Sequence, residues 1–274
     1  MARREVEHDA LPIPNGWFAV EWSRDLHEGD VKPIHYFEED MVLFRTRSGE
    51  ARVLDAFCPH LGAHLGHGGR VMGETLRCPF HAWQYDGSTG ACTHIPYCDK
   101  IPARAKVRSW PVQEKNGMVF VWHHSEDKPP EWDFPSLPEI GDPDWSEPRT
   151  VSMEMETYVQ DTHENNNDPI HFQYVHNMMG DQTGDISFTE DSTHYRIVTT
   201  NEQETPLGTF DLSLVRDSWG LGLTAVRSDG FPDAGLLMYS STTPIDRDRV
   251  ESRWLLPCTR NMVDYMGEEF MHAL

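Results

Sequence analysis

Positive charge is scarce in this sequence. Its 274 residues hold 23 Lys and Arg against 45 Asp and Glu, a formal net charge of −22. Such a chain offers no net positive field to neutralise phosphates, which argues against a nucleic-acid partner. Long apolar runs are also lacking, so no membrane span is expected. Met1 to Ala10 is charged and has no apolar core of the kind a secretion signal carries. Cysteine is sparse, five in all, and the spacing forms no disulfide framework. Reduced thiols and a cytoplasmic location are therefore expected. There are no internal repeats.

What remains is a composition of 38% hydrophobic and 11% aromatic residues, typical of a globular protein, at a length that allows two domains. After a lead-in over residues 1–15, short alternating runs dominate. Met41 to Arg45 and Ala51 to Phe57 read as strands, and Asn116-Gly117 between two further runs is a two-residue hairpin signal. Residues 126–150 are rich in proline and acid, which suits a connector and neither a helix nor a central strand. Beyond it, Val151–Val159, Tyr195–Thr200, Thr209–Val215, Leu236–Thr243 and Val250–Leu256 read as strands, with a helix-compatible segment at 160–178.

The densest chemistry lies between Cys58 and His81. Cys58-Pro59-His60 is followed by seventeen residues and then Cys78-Pro79-Phe80-His81. Two thiolates and two imidazoles could hold a single zinc ion. They could equally hold a two-iron cluster, with two Cys on one iron and two His on the other. Each loop contributes one residue of each kind, which favours the second arrangement. Cys58-Pro-His-Leu-Gly-Ala-His and Cys78-Pro-Phe-His-Ala-Trp-Gln-Tyr-Asp-Gly resemble the Rieske segment of Rieske non-haem iron oxygenases. Respiratory Rieske proteins carry an extra Cys in each loop where this sequence has Ala63 and Phe80. The resemblance implies a [2Fe–2S] centre on Cys58, His60, Cys78 and His81, of lower potential and fed by a ferredoxin or flavin reductase.

A second pattern follows at Asn165-x-x-Asp168-x-x-His171-x4-His176. In the same family this motif implies a mononuclear Fe(II) on the two histidines, completed by a carboxylate, with one face left open for O₂ and substrate. Asn165 and Asp168 are the candidate catalytic residues. Asp168 is expected to bridge a ligand histidine and a cluster histidine of a neighbouring subunit, with a helix-capping role as its alternative. His171 and His176 are five apart, about 140° round a regular helix, so a π-bulge or a break near Pro169 is expected. The family's third ligand is a later Asp. Asp264, Glu268 and Glu269 are the late carboxylates here. Met262 to Leu274 reads as the start of an amphipathic helix whose later turns would carry the ligand, so the sequence is read as incomplete at its C-terminus.

Ile95-Pro96-Tyr97, the run Lys100 to Arg108, Thr243-Pro244-Ile245-Asp246 and Arg253-Trp254 resemble the 3-ketosteroid 9α-hydroxylase and cholesterol 7-desaturase branch. The expected fold is therefore α+β. An all-β Rieske domain over 16–125 and the connector over 126–150 precede a helix-grip catalytic domain, antiparallel sheet plus helices, over 151–274. The expected activity is that of a terminal oxygenase in a homotrimer, using O₂ and electrons from NAD(P)H through a reductase to hydroxylate an apolar, steroid-like molecule. Phe172, Tyr174 and Leu236–Tyr239 are candidate pocket residues. Action on an aromatic acid or ether, or a role as a Rieske-type electron carrier, are the alternatives. Arg104, Lys106 and Arg108 alternate, so a strand would place them on one face. They form either a docking stripe for an acidic electron donor, a solvated face or a subunit contact.

Overall fold

The computed structural model describes residues 11–168, 170–175, 185–188, 192–205 and 207–273. The first half is built from short strands. They run β1 (Gly16–Trp22), β2 (Val31–Tyr36), β3 (Glu39–Arg45), β4 (Ala51–Asp55), β5 (Arg70–Met72) and β6 (Thr75–Arg77). They continue as β7 (Gln84–Asp86), β8 (Cys92–His94), β9 (Ser109–Trp110), β10 (Val112–Lys115) and β11 (Met118–His123). The second half holds β12 (Arg149–Met155), α1 (Val159–Asn167), α2 (His171–Val175), β13 (Asp185–Phe188), β14 (His194–Thr205) and β15 (Gly208–Trp219). It ends in β16 (Leu223–Asp229), β17 (Leu236–Asp246), β18 (Arg249–Leu256) and α3 (Met262–Ala273).

The strands form antiparallel sheets in the orders β1-β11-β10, β2-β3-β4-β9, β5-β6-β7-β8 and β12-β18-β17-β16-β15-β14-β13. The Asn116-Gly117 turn joins β10 to β11 with both residues at positive φ, 52° and 76°, as a two-residue hairpin requires. β1 ties the molecule together because both its faces are buried. Phe18 and Val20 pack with Phe37, Leu43 and Val53. Trp17 and Ala19 face Trp219, Leu223, Ala225 and Tyr239 of the large sheet. Each such large apolar side chain contributes about 1.5–3 kcal/mol on burial.

The α+β, helix-grip expectation is corrected by this structure. The described residues are mostly antiparallel strand, and their α-helices are short. α1 has nine residues, α2 five and α3 twelve, the last interrupted at Gly267 with φ 78°. The cause is local. Asp168 leaves helical geometry after α1, and a proline follows at 169, which has no amide proton to continue a helix. Meanwhile the 12-residue β14 and β15 pair along their whole length, so polar runs such as Thr199 to Thr205 extend as strand. No helix of the described residues is long and apolar enough to cross a membrane.

Candidate functional site

Two loops of the same construction carry the Cys and His residues. The first leaves β4, and Cys58 N–H donates to Ala63 O at 2.9 Å; the second leaves β6, and Cys78 N–H donates to Trp83 O at 2.8 Å. In each loop the cysteine amide closes on the carbonyl five residues ahead, which turns the intervening histidine toward the other loop. Cys58 and Cys78 are 3% and 2% exposed, and their thiols lie within hydrogen-bonding reach of each other. The imidazoles of His60 and His81 meet edge to face with centroids 4.6 Å apart, and His60 stacks on Trp83 at 4.5 Å. Thiol is thus paired with thiol and imidazole with imidazole.

The electrostatics suit a metal group. The Cys78 thiol and the Tyr85 hydroxyl lie against Cys58 and, against the opposing effect of burial, push its thiol below the ordinary thiol range, while the same contact pushes the Cys78 thiol up. His60 Nδ1 is buried without a hydrogen-bond partner. An orphaned buried acceptor costs about 1–3 kcal/mol, and a bond to a metal would remove that cost. Two thiols and two imidazoles arranged as like pairs fit a two-iron cluster in which each iron takes one pair. Trp83 and Tyr85, which sequence reasoning missed, sit at alternate positions entering β7. That alternation is the available signal for residues sharing the ligand-facing side.

The second motif occupies the corner between α1 and α2. The helix breaks between Asn167 and His171. His171 Nδ1 lies 2.6 Å from the carbonyl oxygen of Asp168, a bond that places the proton on Nδ1 and the lone pair on Nε2. Asp168 Oδ1 accepts from Ile170 N–H at 2.9 Å, while Oδ2 is 3.8 Å from His171 Nδ1. The carboxylate thus makes a local capping bond and remains half exposed. Asn165 points outward, whereas Asn167 and His163 turn toward the sheet, where His163 Nε2 lies 2.5 Å from Tyr195 Oη. His176 lies outside the described residues, as do the side chains of Phe172, Glu268 and Glu269. Tyr174 is 76% exposed, and Asp264 is exposed on α3.

The large sheet has two unlike faces. One is apolar and packs against β1 and the Trp132–Trp145 segment. The other bears Tyr195, which meets His163 of α1, and Leu212, which packs on Met262 and Tyr265 of α3. Across that helix-covered face Tyr195 pairs with Ser218, Ser218 with Thr224 and Thr224 with Ser240. The last three are buried. Arg216, on the same face, is 2% exposed and donates to Thr199 Oγ1 at 3.0 Å.

Residues 16–111 match the Rieske [2Fe–2S] domain and residues 121–267 the 3-ketosteroid 9α-hydroxylase C-terminal domain. The chain belongs to the Rieske oxygenases. Within that family it is 43% identical over 175 residues to cholesterol 7-desaturase nvd 1 of Ciona intestinalis, covering 64% of this chain and 37% of that protein. It is 38% identical over 164 residues to the probable 3-ketosteroid-9-alpha-monooxygenase oxygenase component of Rhodococcus rhodochrous, covering 59% and 41%. The matched part spans about two fifths of these relatives. In fold it is similar to dicamba monooxygenase (TM-score 0.73, 18% identity, 91% of this chain and 78% of that chain). It is also similar to NdmA of Pseudomonas putida CBB5 bound to caffeine (TM-score 0.71, 20% identity, 94% and 76%). As a Rieske-domain protein it is of the class that carries a [2Fe–2S] cluster.

Proposed function

We propose that this Rieske oxygenase is the oxygenase component of a multicomponent system that oxidises a small organic molecule with O₂ and electrons drawn from NAD(P)H through a ferredoxin or flavin reductase. Cys58, His60, Cys78 and His81 would hold the [2Fe–2S] cluster, and His171 with His176 the mononuclear Fe(II). When bound, these groups supply one-electron storage and O₂ reduction. The observation that carries the reading is the paired thiols and paired imidazoles with an orphaned His60 Nδ1. The chain's own residues orient the site. Asp168 holds the α1–α2 corner through Ile170, its backbone carbonyl fixes the His171 tautomer, and its second carboxylate oxygen, 3.8 Å from His171 Nδ1, would accept from a cluster histidine of the neighbouring subunit.

Homotrimer assembly, with each cluster tip seated on the next subunit's α1–α2 corner, is supported by exposed apolar side chains at both places. Phe80 is 63% exposed, with Leu61 and Tyr97 close to that value, and Ile170, Tyr174 and Val175 are exposed at the corner. We further propose the division into a cluster part at 16–125, a connector at 126–150 and a catalytic part from 151.

For the substrate, the hydroxyl row Ser218, Thr224 and Ser240 with buried Arg216 favours a molecule carrying several oxygens, an aromatic acid or ether. The steroid reading has its own support in the likeness to cholesterol 7-desaturases and to the 3-ketosteroid enzyme. Metal analysis should find about three irons and about two acid-labile sulfides per chain. Zinc in their place, or a colourless protein, overturns the proposal. Incubation with a reductase and both substrate panels, followed by mass spectrometry, separates the two substrate classes.

A further inference from the structure

The cluster-bearing segment departs from the charge of the rest. Residues 56–110 contain six Lys or Arg against three Asp or Glu, in a chain of net charge −22. Within it, residues 104–108 alternate. Ala105 and Val107 are buried in the same core as Cys58, Cys78 and Tyr85, while Arg104 and Lys106 point outward and are exposed. Neither makes an ion pair among the described residues. Arg108 ends the stripe over Trp110, 3.7 Å from the ring centroid, and is held by Asp127. Beside it opens a cavity of about 610 Å³ lined by Lys106, Arg108, Ser88, Thr89 and Lys128.

Two short strands, β8 and β7, connect the stripe to the thiol pair. Ala105 O accepts from Cys92 N–H at 2.9 Å, Cys92 on β8 pairs with Tyr85 on β7, and Tyr85 Oη lies 3.0 Å from Cys58 Sγ. The imidazoles sit elsewhere, beside the exposed ring of Phe80.

We propose that Arg104 and Lys106 form the docking surface for an acidic one-electron carrier protein, and that electrons enter on the cysteine side of the cluster site. This rests on the Rieske reading above. One electron leaves the donor, which is oxidised by one unit, and one arrives at the cluster; no bond forms or breaks. Opposite charge on the two surfaces speeds encounter, and salt screens that gain.

The test uses the full holoprotein, a reduced acidic plant-type ferredoxin as donor, and stopped-flow absorbance at several ionic strengths. The double variant R104E/K106E should be reduced about ten-fold more slowly at low salt, with the gap closing as salt rises. Photoreduced deazariboflavin, a small neutral reductant, should reduce both proteins alike. R260E, the same kind of charge reversal at an exposed position on the catalytic half, should stay within two-fold of wild type. Wild-type rate and salt slope in the double variant overturn the proposal, as does an equal loss in R260E. A double variant that changes only its sedimentation, with reduction unaltered, makes the stripe a subunit contact and also overturns it. A protein with no visible band that reductant can bleach overturns the Rieske reading itself, and docking with it.

Discussion

Tyr85 Oη lies 3.0 Å from Cys58 Sγ, so a buried hydroxyl is aimed at a candidate ligand sulfur. A donor to a ligand sulfur stabilises the reduced cluster more than the oxidised one, because reduction adds negative charge there. Tyr85→Phe should therefore lower the midpoint potential, on the order of 50 mV if a charge-assisted bond of about 1.5 kcal/mol is lost in large part. Redox titration with the visible spectrum retained is the measurement, and an unchanged or higher potential counts against the contact.

Gly69 stands where no side chain fits. A Cβ there would lie 2.0 Å from Leu65 O and 3.4 Å from Arg77 O, the residue before Cys78. The clash falls within the first loop, so Gly69→Ala must displace the Leu65 peptide and distort the loop that carries Cys58 and His60. The expected outcome is a folded chain with most of its iron and sulfide lost, read as metal per chain alongside far-UV circular dichroism. Full cluster content in this variant would show that the loops tolerate the shift.

Much of the cluster site was legible in sequence because its information is local. Each cysteine and its histidine belong to one tight loop, and the Asn116-Gly117 turn and the long alternating runs are likewise short-range signals. The helical layer was over-read. The expected break near Pro169 is present, since α1 ends at Asn167 and α2 begins at His171, but the helices on either side of it are only nine and five residues long. β2 was missed because Pro33 demotes its run; the strand survives at a sheet edge, paired only with β3, where a missing donor costs little. Alternation puts Trp83 and Tyr85 on one side, but which residues they meet, like the hydroxyl row, depends on the register between distant strands.

Arg253 illustrates the same limit. Its Arg-Trp pair reads as a family signature, and the structure gives it a structural task. The guanidinium is buried, donates to Ala19 O, Val20 O and Tyr36 Oη, and pairs with Glu251 at 2.9 Å. It stitches β18 to β1, the strand on which both halves pack. Arg253→Met leaves the Glu251 charge and two β1 carbonyls without this partner, so stability should fall by about 3–5 kcal/mol in denaturant unfolding. Adding Glu251→Gln should return part of the loss, since the stranded charge is then removed.

His163 links stability to pH in a direction that can be worked out. Burial pushes its imidazole down to about 4, whereas the unfolded chain titrates near 6.5. Between those values the unfolded chain takes up a proton that the folded one refuses. Its contribution is therefore fully present above about pH 6.5 and lost as pH falls toward 4, by about 2 kcal/mol at pH 5. His163→Gln can keep a hydrogen bond to Tyr195 and cannot titrate. Plotted between pH 7 and pH 5, the unfolding free energy of this variant should fall less steeply than wild type by nearly one proton's worth of slope. Parallel lines for the two proteins would mean that His163 is protonated in the folded state, and the anchoring of α1 through a neutral imidazole on Tyr195 would have to be abandoned.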